Sequence, residues 1–133
     1  MNDNRIPETV TTMLSAAAAA ENGAGVIYED RTTTYRELGD LSRRAAAGLA
    51  SLGIGLGDRV AFWLPNTPAY LVLYFACVRL GAIAVAINTR FRAGEVEDVL
   101  GRTGAKALIM WPGFRDIDFP GLLEEVDRAA LAR

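Results

Sequence analysis

The sequence predicts an α/β protein with a largely parallel sheet and helices on both of its faces. Residues 60–64 and 83–87 are short apolar runs rich in β-branched or aromatic side chains, which is typical of buried strands. Between them, the apolar residues 69–80 carry one charge, that of Arg79. Two strands that are apolar on both faces and are joined by a helix indicate a parallel βαβ unit.

The chain begins with an alanine-rich segment, residues 1–24, in which we predict a leading helix over about residues 8–21. A secretory signal is the competing interpretation, because residues 13–20 are small and apolar. Asp3 and Glu8 precede that run, whereas a signal needs a positively charged start. The helix is therefore the favoured prediction.

A hairpin and a long amphipathic helix follow. Residues 26–28 and 32–34 are strand-like, with residues 29–31 as the turn between them. Thr34 and Glu37 have the spacing of a capping box, which satisfies two free donors at a helix start. Apolar residues then recur at helical spacing and predict the face that lies on a sheet. They are Leu38, Leu41, Ala45, Leu49 and Leu52.

Residues 53–57, Gly-Ile-Gly-Leu-Gly, superficially resemble a dinucleotide-binding loop. That loop has G-x-G-x-x-G spacing and lies between a strand and the helix that follows it. Here the spacing is G-x-G-x-G, and the segment comes after a helix and before a strand. We interpret it as a helix exit and a turn, with a phosphate-binding loop as the minor alternative.

The helix of the βαβ unit has recognisable ends. The Thr67 hydroxyl can cap it, and Pro68 suits its first position because the missing N–H costs nothing there. Gly81 ends it, since glycine tolerates the left-handed conformation of a helix exit. No polar stripe is visible, so the helix should be covered on most sides.

The rest of the chain predicts two more helices and one more strand. Residues 88–92 form a polar loop ahead of a short helix with an acidic first turn, which Gly101 and Gly104 close. Residues 105–111 form a third buried strand, and residues 122–132 form a last helix. The prediction is thus one domain over residues 1–133, with a βαβαβ core over residues 58–111.

Composition excludes several classes of function. The net charge of −2 offers no basic field for nucleic acid or for an anionic membrane. The uncharged run is shorter than the ~20 residues that a membrane span requires. Histidine, the commonest general base and transition-metal ligand, is absent. Cys77 is the only cysteine, which suits a reducing compartment, and we predict a cytoplasmic location and a small buried thiol.

The residues show no catalytic constellation and no metal site. The adjacent carboxylates are best explained as solvated surface charges, because neighbouring residues on a helix point in different directions. They are Glu29 with Asp30, Glu97 with Asp98, and Glu124 with Glu125. Arg90 and Arg92 could bind a phosphate or carboxylate with two parallel hydrogen bonds, but a solvent-facing loop is the alternative.

Three polar residues are the best candidates for a ligand pocket. In open α/β sheets, ligands lie beyond the carboxyl ends of parallel strands. Asn66 follows the first strand of the predicted unit, and Asn88 and Arg90 follow the second. We therefore expect these side chains at the edge of a pocket. The alternative, that the asparagines only serve turns and caps, stays open.

The order of motifs resembles the N-terminal portion of adenylate-forming acyl-CoA synthetases. These AMP-binding ligases are a superfamily that includes luciferases and amino-acid adenylation domains. The similar residues are TYREL, an Ala/Leu helix, LGIGLGDRVAFWLPNTPAYLVLYFACVRLGAIAVAINTRF, a short acidic helix and AKALI. They cover about residues 28–109 and are specific for the superfamily, but not for the substrate.

The resemblance implies a parent enzyme that uses ATP, Mg²⁺ and coenzyme A to activate a carboxylic acid, such as a fatty acid, as acyl-AMP and then acyl-CoA. The family's Ser/Thr/Gly-rich phosphate loop, nucleotide contacts, hinge and catalytic lysine lie downstream of the similar region. No catalytic or cofactor-binding residue can therefore be carried over to this chain. It resembles an inactive N-terminal fragment, natural or truncated.

Two other functions stay open. One is a non-catalytic interaction module that reuses the fold, and the other is a small nucleotide-binding protein that uses residues 53–57. For a fragment, exposed strand edges and apolar patches favour association, so we predict a homodimer or a swapped assembly.

Overall fold

The computed structural model describes residues 9–20 and 22–131, and of residues 127–131 only the backbone. Within these residues the chain forms five helices and seven strands. In chain order they are α1 (Val10–Ala19), β1 (Gly25–Tyr28), β2 (Arg31–Thr34), α2 (Tyr35–Ser51), β3 (Arg59–Trp63), α3 (Pro68–Leu80), β4 (Ile83–Ala86), α4 (Ala93–Thr103), β5 (Ala107–Met110), β6 (Gly113–Phe114), β7 (Ile117–Asp118) and α5 (Phe119–Leu131).

The chain divides into two units. The first unit comprises Met1–Leu56 and Thr67–Ala82, and the second comprises Gly57–Asn66 and Ile83–Arg133. The first unit contains α1, the β1–β2 hairpin, α2 and α3, whereas the second contains the other strands with α4 and α5. The single domain predicted for residues 1–133 stays a prediction.

In the first unit, the leading helix and the hairpin form near the predicted positions. Thr9 caps α1 through its hydroxyl, which accepts the Thr12 N–H at 3.1 Å. The predicted limits of that helix, residues 8 and 21, lie outside the described residues. The antiparallel pairing of β1 with β2 is confirmed, with Glu29 and Asp30 in the left-handed region at φ 44° and 58°. The turn is one residue shorter than predicted, because Arg31 pairs with Tyr28.

The start of α2 is confirmed, and its predicted buried face is confirmed at Leu38 and Leu49 but not at its other leucines. The Thr34 N–H donates to Glu37 at 2.8 Å, and the Glu37 N–H donates to the Thr34 hydroxyl at 3.2 Å. Leu41 and Leu52, predicted to face a sheet, are 36% and 76% exposed. The buried face is rotated because a polar residue, Ser42, is fully buried on it with its hydroxyl hydrogen-bonded.

The ends of α3 are confirmed except for one interaction. Pro68 is its first residue, and Gly81 ends it in the left-handed conformation at φ 69°. The Thr67 hydroxyl does not cap the helix as predicted, because the Tyr70 N–H donates to the Thr67 backbone carbonyl instead, at 3.0 Å. In α3 only Ala76 and Cys77 are buried, so the described residues cover the helix less than its composition predicts.

The second unit is built on a three-stranded parallel sheet in the order β4-β3-β5. Phe62 of β3 pairs with Ala86 on one side and with Ile109 on the other. The predicted parallel α/β class is confirmed. The central strand is the most buried, because it has a neighbour on each side and is apolar from Val60 to Trp63.

The core of the second unit contains a stacked aromatic pair. The rings of Trp63 and Phe119 lie 4.3 Å apart and nearly parallel, at 13°. Both side chains are fully buried, and such pairs stabilise a core beyond the area they bury. The other buried residues of this cluster are Ala61, Ile87, Val96 and Val126.

Three boundaries in the second unit differ from the predictions. Gly101 lies inside α4, and Gly104 alone ends that helix, at φ 56°. The short β6–β7 hairpin was not predicted. The last helix begins at Phe119 because Asp118 accepts the Gly121 N–H at 3.2 Å and caps it. Its predicted last residue, Ala132, lies outside the described residues.

Candidate functional site

The three parallel strands end at one edge of the sheet, which we call the carboxyl edge. It consists of the residues that directly follow β3, β4 and β5. The register fixes this arrangement, since Phe62 pairs with Ala86 and Trp63 pairs with Met110 at the last positions of the strands. The structure therefore supplies the strand ends on which the predicted pocket depends.

Asn88 lies at the carboxyl edge and shapes the loop after β4. Its side-chain oxygen accepts the Arg90 N–H at 2.9 Å, and its backbone carbonyl accepts the Phe91 N–H at 3.0 Å. This is an Asx-type turn, so the turn function that the sequence left open is present. The side chain is exposed, and its NH2 group has no partner among the described residues.

Asn66 and Arg90 also lie at the carboxyl edge and are exposed. Asn66 comes three residues after the end of β3, and Arg90 comes four residues after the end of β4. Within residues 9–20 and 22–131, neither side chain has a hydrogen bond or an ion pair. Their role at a pocket edge stays a prediction.

In the core beneath the carboxyl edge, the buried indole N–H of Trp63 is without a partner among the described residues. Trp63 is the last residue of β3, and its indole N–H has no acceptor in the part of the chain that the structure describes. The stacked Trp63 and Phe119 rings otherwise provide an apolar floor.

A cavity of about 400 Å³ beside Arg92 was not anticipated from the sequence. Asp116 and Asp118 line it together with Glu124 and Glu125, which gives four carboxylates against one guanidinium. Sequence reasoning missed the two aspartates because it missed the β6–β7 hairpin that carries them. The remaining residues that line the cavity are Ile117, Gly121 and Leu122.

This acidic cavity does not coincide with the predicted pocket, since none of Asn66, Asn88 and Arg90 lines it. No group of three or more His, Cys, Asp or Glu side chains among the described residues could hold a metal ion. The nearby start of α4 is occupied by its own carboxylate, because Glu95 accepts the Arg92 N–H at 2.8 Å. A phosphate would have to compete with Glu95 for that helix end.

The opposite end of the sheet, which we call the amino edge, is held by the charged residues Asp58, Arg59 and Lys106. The Arg59 guanidinium donates to the backbone carbonyls of Thr103 at 2.7 Å, Gly104 at 3.1 Å and Gly57 at 3.2 Å. It thereby satisfies carbonyls at the carboxyl end of α4, where a cation is also favoured by the helix dipole.

The Lys106 ammonium lies 3.0 Å from the Asp58 carboxylate and joins the start of β5 to the start of β3. The backbone repeats this connection, since the Lys106 N–H donates to the Arg59 carbonyl at 2.8 Å. On the other side of β3, the Ile83 N–H of β4 donates to the Asp58 carbonyl, also at 2.8 Å. The G-D-R-V segment is therefore structural.

The glycine-rich segment before β3 is a helix exit, as the sequence predicts. Gly53 and Gly57 have φ of 83° and 77°, which non-glycine residues rarely adopt. The segment connects α2 to β3 and so has a helix before it and a strand after it. This order is the reverse of the one that a dinucleotide-binding loop requires.

Cys77 is not suited to nucleophilic chemistry. It is fully buried in α3, and burial raises the pKa of its thiol to about 11. The thiol is therefore protonated at neutral pH, whereas the nucleophile would be the thiolate. This agrees with the prediction of a small buried thiol.

In two of the three carboxylate pairs the structure shows a structural role. Glu29 and Asp30 form the hairpin turn, and Asp98 lies 2.7 Å from the Arg102 guanidinium on the surface of α4.

None of the helices in the described part of the chain has both the length and the apolar composition needed to cross a membrane.

Comparison with known proteins shows the family. The AMP-binding enzyme family matches residues 14–132. A provisionally named acyl-CoA synthetase of Bacillus subtilis, YngI, is 34% identical over 124 residues, which are 91% of this chain and 23% of that protein. The long-chain-fatty-acid–CoA ligase FadD13 of Mycobacterium tuberculosis is 42% identical over 80 residues, which are 60% of this chain and 16% of that protein.

A solved structure shows the same fold. The N-terminal domain of FACL13 from Mycobacterium tuberculosis matches with a TM-score of 0.72 and 35% identity, over 77% of this chain and 27% of that one. The chain thus spans less than a quarter of the length of these two curated relatives. It belongs to the AMP-binding enzyme family and matches an N-terminal portion of its acyl-CoA synthetase members.

Proposed function

We propose that this chain is the N-terminal part of an ATP-dependent acyl-CoA ligase for a fatty or other aliphatic acid, and that the 133 residues alone are inactive. The parent would convert the carboxylate and ATP to acyl-AMP and then transfer the acyl group to coenzyme A. The observation that carries the proposal is the family match over residues 14–132, in a chain that spans 23% of its Bacillus relative.

The proposed inactivity is supported by the places where a triphosphate would usually bind, which are already used for other contacts among the described residues. A triphosphate needs a cluster of backbone N–H groups or a lysine at its oxygens. The glycine segment at residues 53–57 follows a helix and precedes a strand, the reverse of the order in a dinucleotide-binding loop. At the start of α4, the Glu95 carboxylate already accepts a backbone N–H. Lys106, the only lysine, is paired with Asp58 at the amino edge. No step of the reaction is therefore assigned to these residues.

Isothermal titration of the 133-residue chain with ATP and Mg²⁺ tests the proposed inactivity. We expect no heat of binding at micromolar concentrations and no release of pyrophosphate from ATP when a fatty acid is added. A saturating micromolar isotherm, or pyrophosphate release, would contradict the proposal. The matched experiment extends the gene downstream and asks whether both activities are then present.

For the parent enzyme, the carboxyl edge supplies a second test. We propose that Asn66, Asn88 and Arg90 line the entrance to the substrate pocket, because they are exposed at the ends of neighbouring parallel strands. Asn66→Ala and Arg90→Ala in the extended protein should then raise KM for the carboxylic acid. Arg102→Ala, an exposed arginine paired with Asp98 on α4, is the control and should leave KM unchanged.

The isolated chain should associate with itself. Among the described residues, β4 and β5 each have β3 as their only neighbour, and Ile83 of β4 is 51% exposed. Leu52 and Leu56 of the first unit are 76% and 88% exposed. Unpaired strand edges and apolar side chains favour a homodimer or a swapped assembly. Light scattering that gives a monomer mass at high micromolar concentration would contradict this.

The proposed location is the cytoplasm. Cys77 is reduced and fully buried, which is compatible with a reducing compartment. Fractionation of cells that express the tagged parent protein tests the location. Recovery in a secreted or membrane fraction would contradict it.

A further inference from the structure

The packing of α2 with α3 in the first unit holds an arginine whose donors are only partly used. The Arg79 Nε–H donates to the Ser42 hydroxyl oxygen at 2.9 Å. That hydroxyl in turn donates to the Gly39 carbonyl at 2.8 Å. Ser42 is fully buried, so it fixes the inner side of the guanidinium. The terminal Nη groups of Arg79 are not used in these contacts.

The Nη groups of Arg79 have no acceptor in residues 9–20 and 22–131, although the side chain is partly buried. No carboxylate of the described residues pairs with this guanidinium. Removing part of a guanidinium from water without a paired anion is costly, and an anion at its exposed Nη groups would offset that cost.

Arg43, on α2 beside Ser42, adds a second positive charge at this place. Burial, together with the charge of Arg43, lowers the pKa of the Arg79 guanidinium. Asp40 forms an ion pair with Arg43 and so balances one of the two charges. One positive charge remains without compensation among these residues, and an anion would relieve the repulsion.

The contact with Ser42 uses the Nε–H of Arg79 but leaves its Nη groups without a structural role among the described residues. A cation in the last turn of α3 is favoured by the helix dipole, but a lysine would serve that purpose equally. The carbonyls of Cys77 and Val78 at this helix end already accept the N–H groups of Ala82 and Gly81. The planar fork of a guanidinium matches two oxygens of one carboxylate or phosphate.

We propose that Arg79 and Arg43 form a binding site for an oxyanion, a phosphate or a carboxylate group, with Ser42 as the residue that positions Arg79. Arg79 would donate both Nη groups to two oxygens of the anion, and Arg43, the residue after Ser42 on α2, would contribute positive charge. The proposal is independent of the proposed ligase function, since it concerns the folded 133-residue chain itself.

The test is an NMR titration of the arginine Nε–H resonances of the 133-residue chain with inorganic phosphate and, separately, with acetate. Sodium chloride keeps the ionic strength constant, so that screening does not change during the titration. We expect the Arg79 resonance to shift along a saturating curve with a Kd of about 1 mM for the preferred anion. Saturation by phosphate alone identifies a phosphate site, and saturation by acetate identifies a carboxylate site.

Variants separate a built site from general attraction to positive charge. Arg79→Gln, followed through the Arg43 resonance, should weaken binding by about tenfold, because the bidentate donor is lost. Arg102→Gln removes the same charge from an exposed surface pair and should leave the Kd unchanged. Ser42→Ala keeps both charges and should weaken binding by about threefold through loss of positioning.

Two results would overturn the proposal. One is a linear, non-saturating shift of the Arg79 resonance with both anions. The other is the same affinity in Arg79→Gln and Arg102→Gln. If Arg79→Gln does not fold, as its backbone amide spectrum would show, Arg43→Gln replaces it, and an affinity equal to that of the Arg102→Gln control would again overturn the site.

Discussion

The polar side chains at the two ends of the parallel sheet differ in how many contacts they make with other elements. At the amino edge, Arg59 and Asp58 are tied to the end of α4 and to Lys106 by side-chain contacts that cross between elements. At the carboxyl edge, Asn66 and Arg90 are exposed and have no such contact among the described residues. Polar side chains at the first edge therefore hold elements together, whereas the Asn66 and Arg90 side chains at the second make no such contact among the described residues.

Truncation of the aromatic pair below the carboxyl edge should give the largest loss of stability. Phe119→Ala removes a fully buried ring stacked on Trp63, and we expect a cost of about 3–5 kcal/mol. Urea unfolding followed by tryptophan fluorescence measures it, since Trp63 and Trp111 both belong to the second unit. Phe119→Leu is the control and should lose much less, because it preserves most of the apolar volume.

Replacement of Arg59 at the amino edge should give the second-largest loss of stability. Arg59→Ala leaves the Thr103 and Gly104 carbonyls without their donor, and we expect a loss of about 1.5–3 kcal/mol in the same unfolding experiment. Arg59→Lys should not restore stability, because an ammonium cannot reach three carbonyls with a planar fork. Full stability in the lysine variant would show that only the charge matters.

The ion pair at the amino edge should have a smaller effect. Lys106 and Asp58 have side chains that are 50% and 27% exposed, so their interaction is worth about 0.2–1 kcal/mol. A double-mutant cycle with Lys106→Met and Asp58→Asn measures the coupling directly. We expect the coupling energy to decrease in 1 M salt. A coupling energy larger than the stability lost in Arg59→Ala would contradict the proposed ranking of the two interactions.

The carboxyl-edge residues should have the smallest effect on stability. Asn88→Ala removes the turn hydrogen bond to the Arg90 N–H and should cost about 0.5–1 kcal/mol. Asn66→Ala and Arg90→Ala should change stability by less than about 0.5 kcal/mol, because neither side chain has a partner in the described structure. A loss comparable to that of Arg59→Ala would remove the distinction between the two edges.

The sequence predicts the elements of this fold better than their faces. The capping box of Thr34 and Glu37 and the left-handed Gly81 are local signals, and both are confirmed. The buried face of α2 is not a local property. The buried Ser42 hydroxyl donates locally to the Gly39 carbonyl, but it also accepts from Arg79, which is 37 residues away. Periodicity of apolar residues could not show that pairing.

The site shows the same limit. Strand order placed Asn66, Asn88 and Arg90 at strand ends, because parallel strands end at one edge. The acidic cavity was missed because β6 and β7 are only two residues long each and have no periodicity to detect. The one available signal was Asp118 ahead of Pro120, which is typical of a capped helix start.

The reach of Arg59 along the chain has a consequence for biosynthesis. Its acceptor Thr103 is 44 residues further on, and the partner of Asp58 is 48 residues further on. When β3 leaves the ribosome, neither contact can form. The apolar central strand therefore stays without these partners until almost fifty more residues have been synthesised. We expect nascent chains arrested before Thr103 to bind holdase chaperones, and chains arrested well after Lys106 to be released from them.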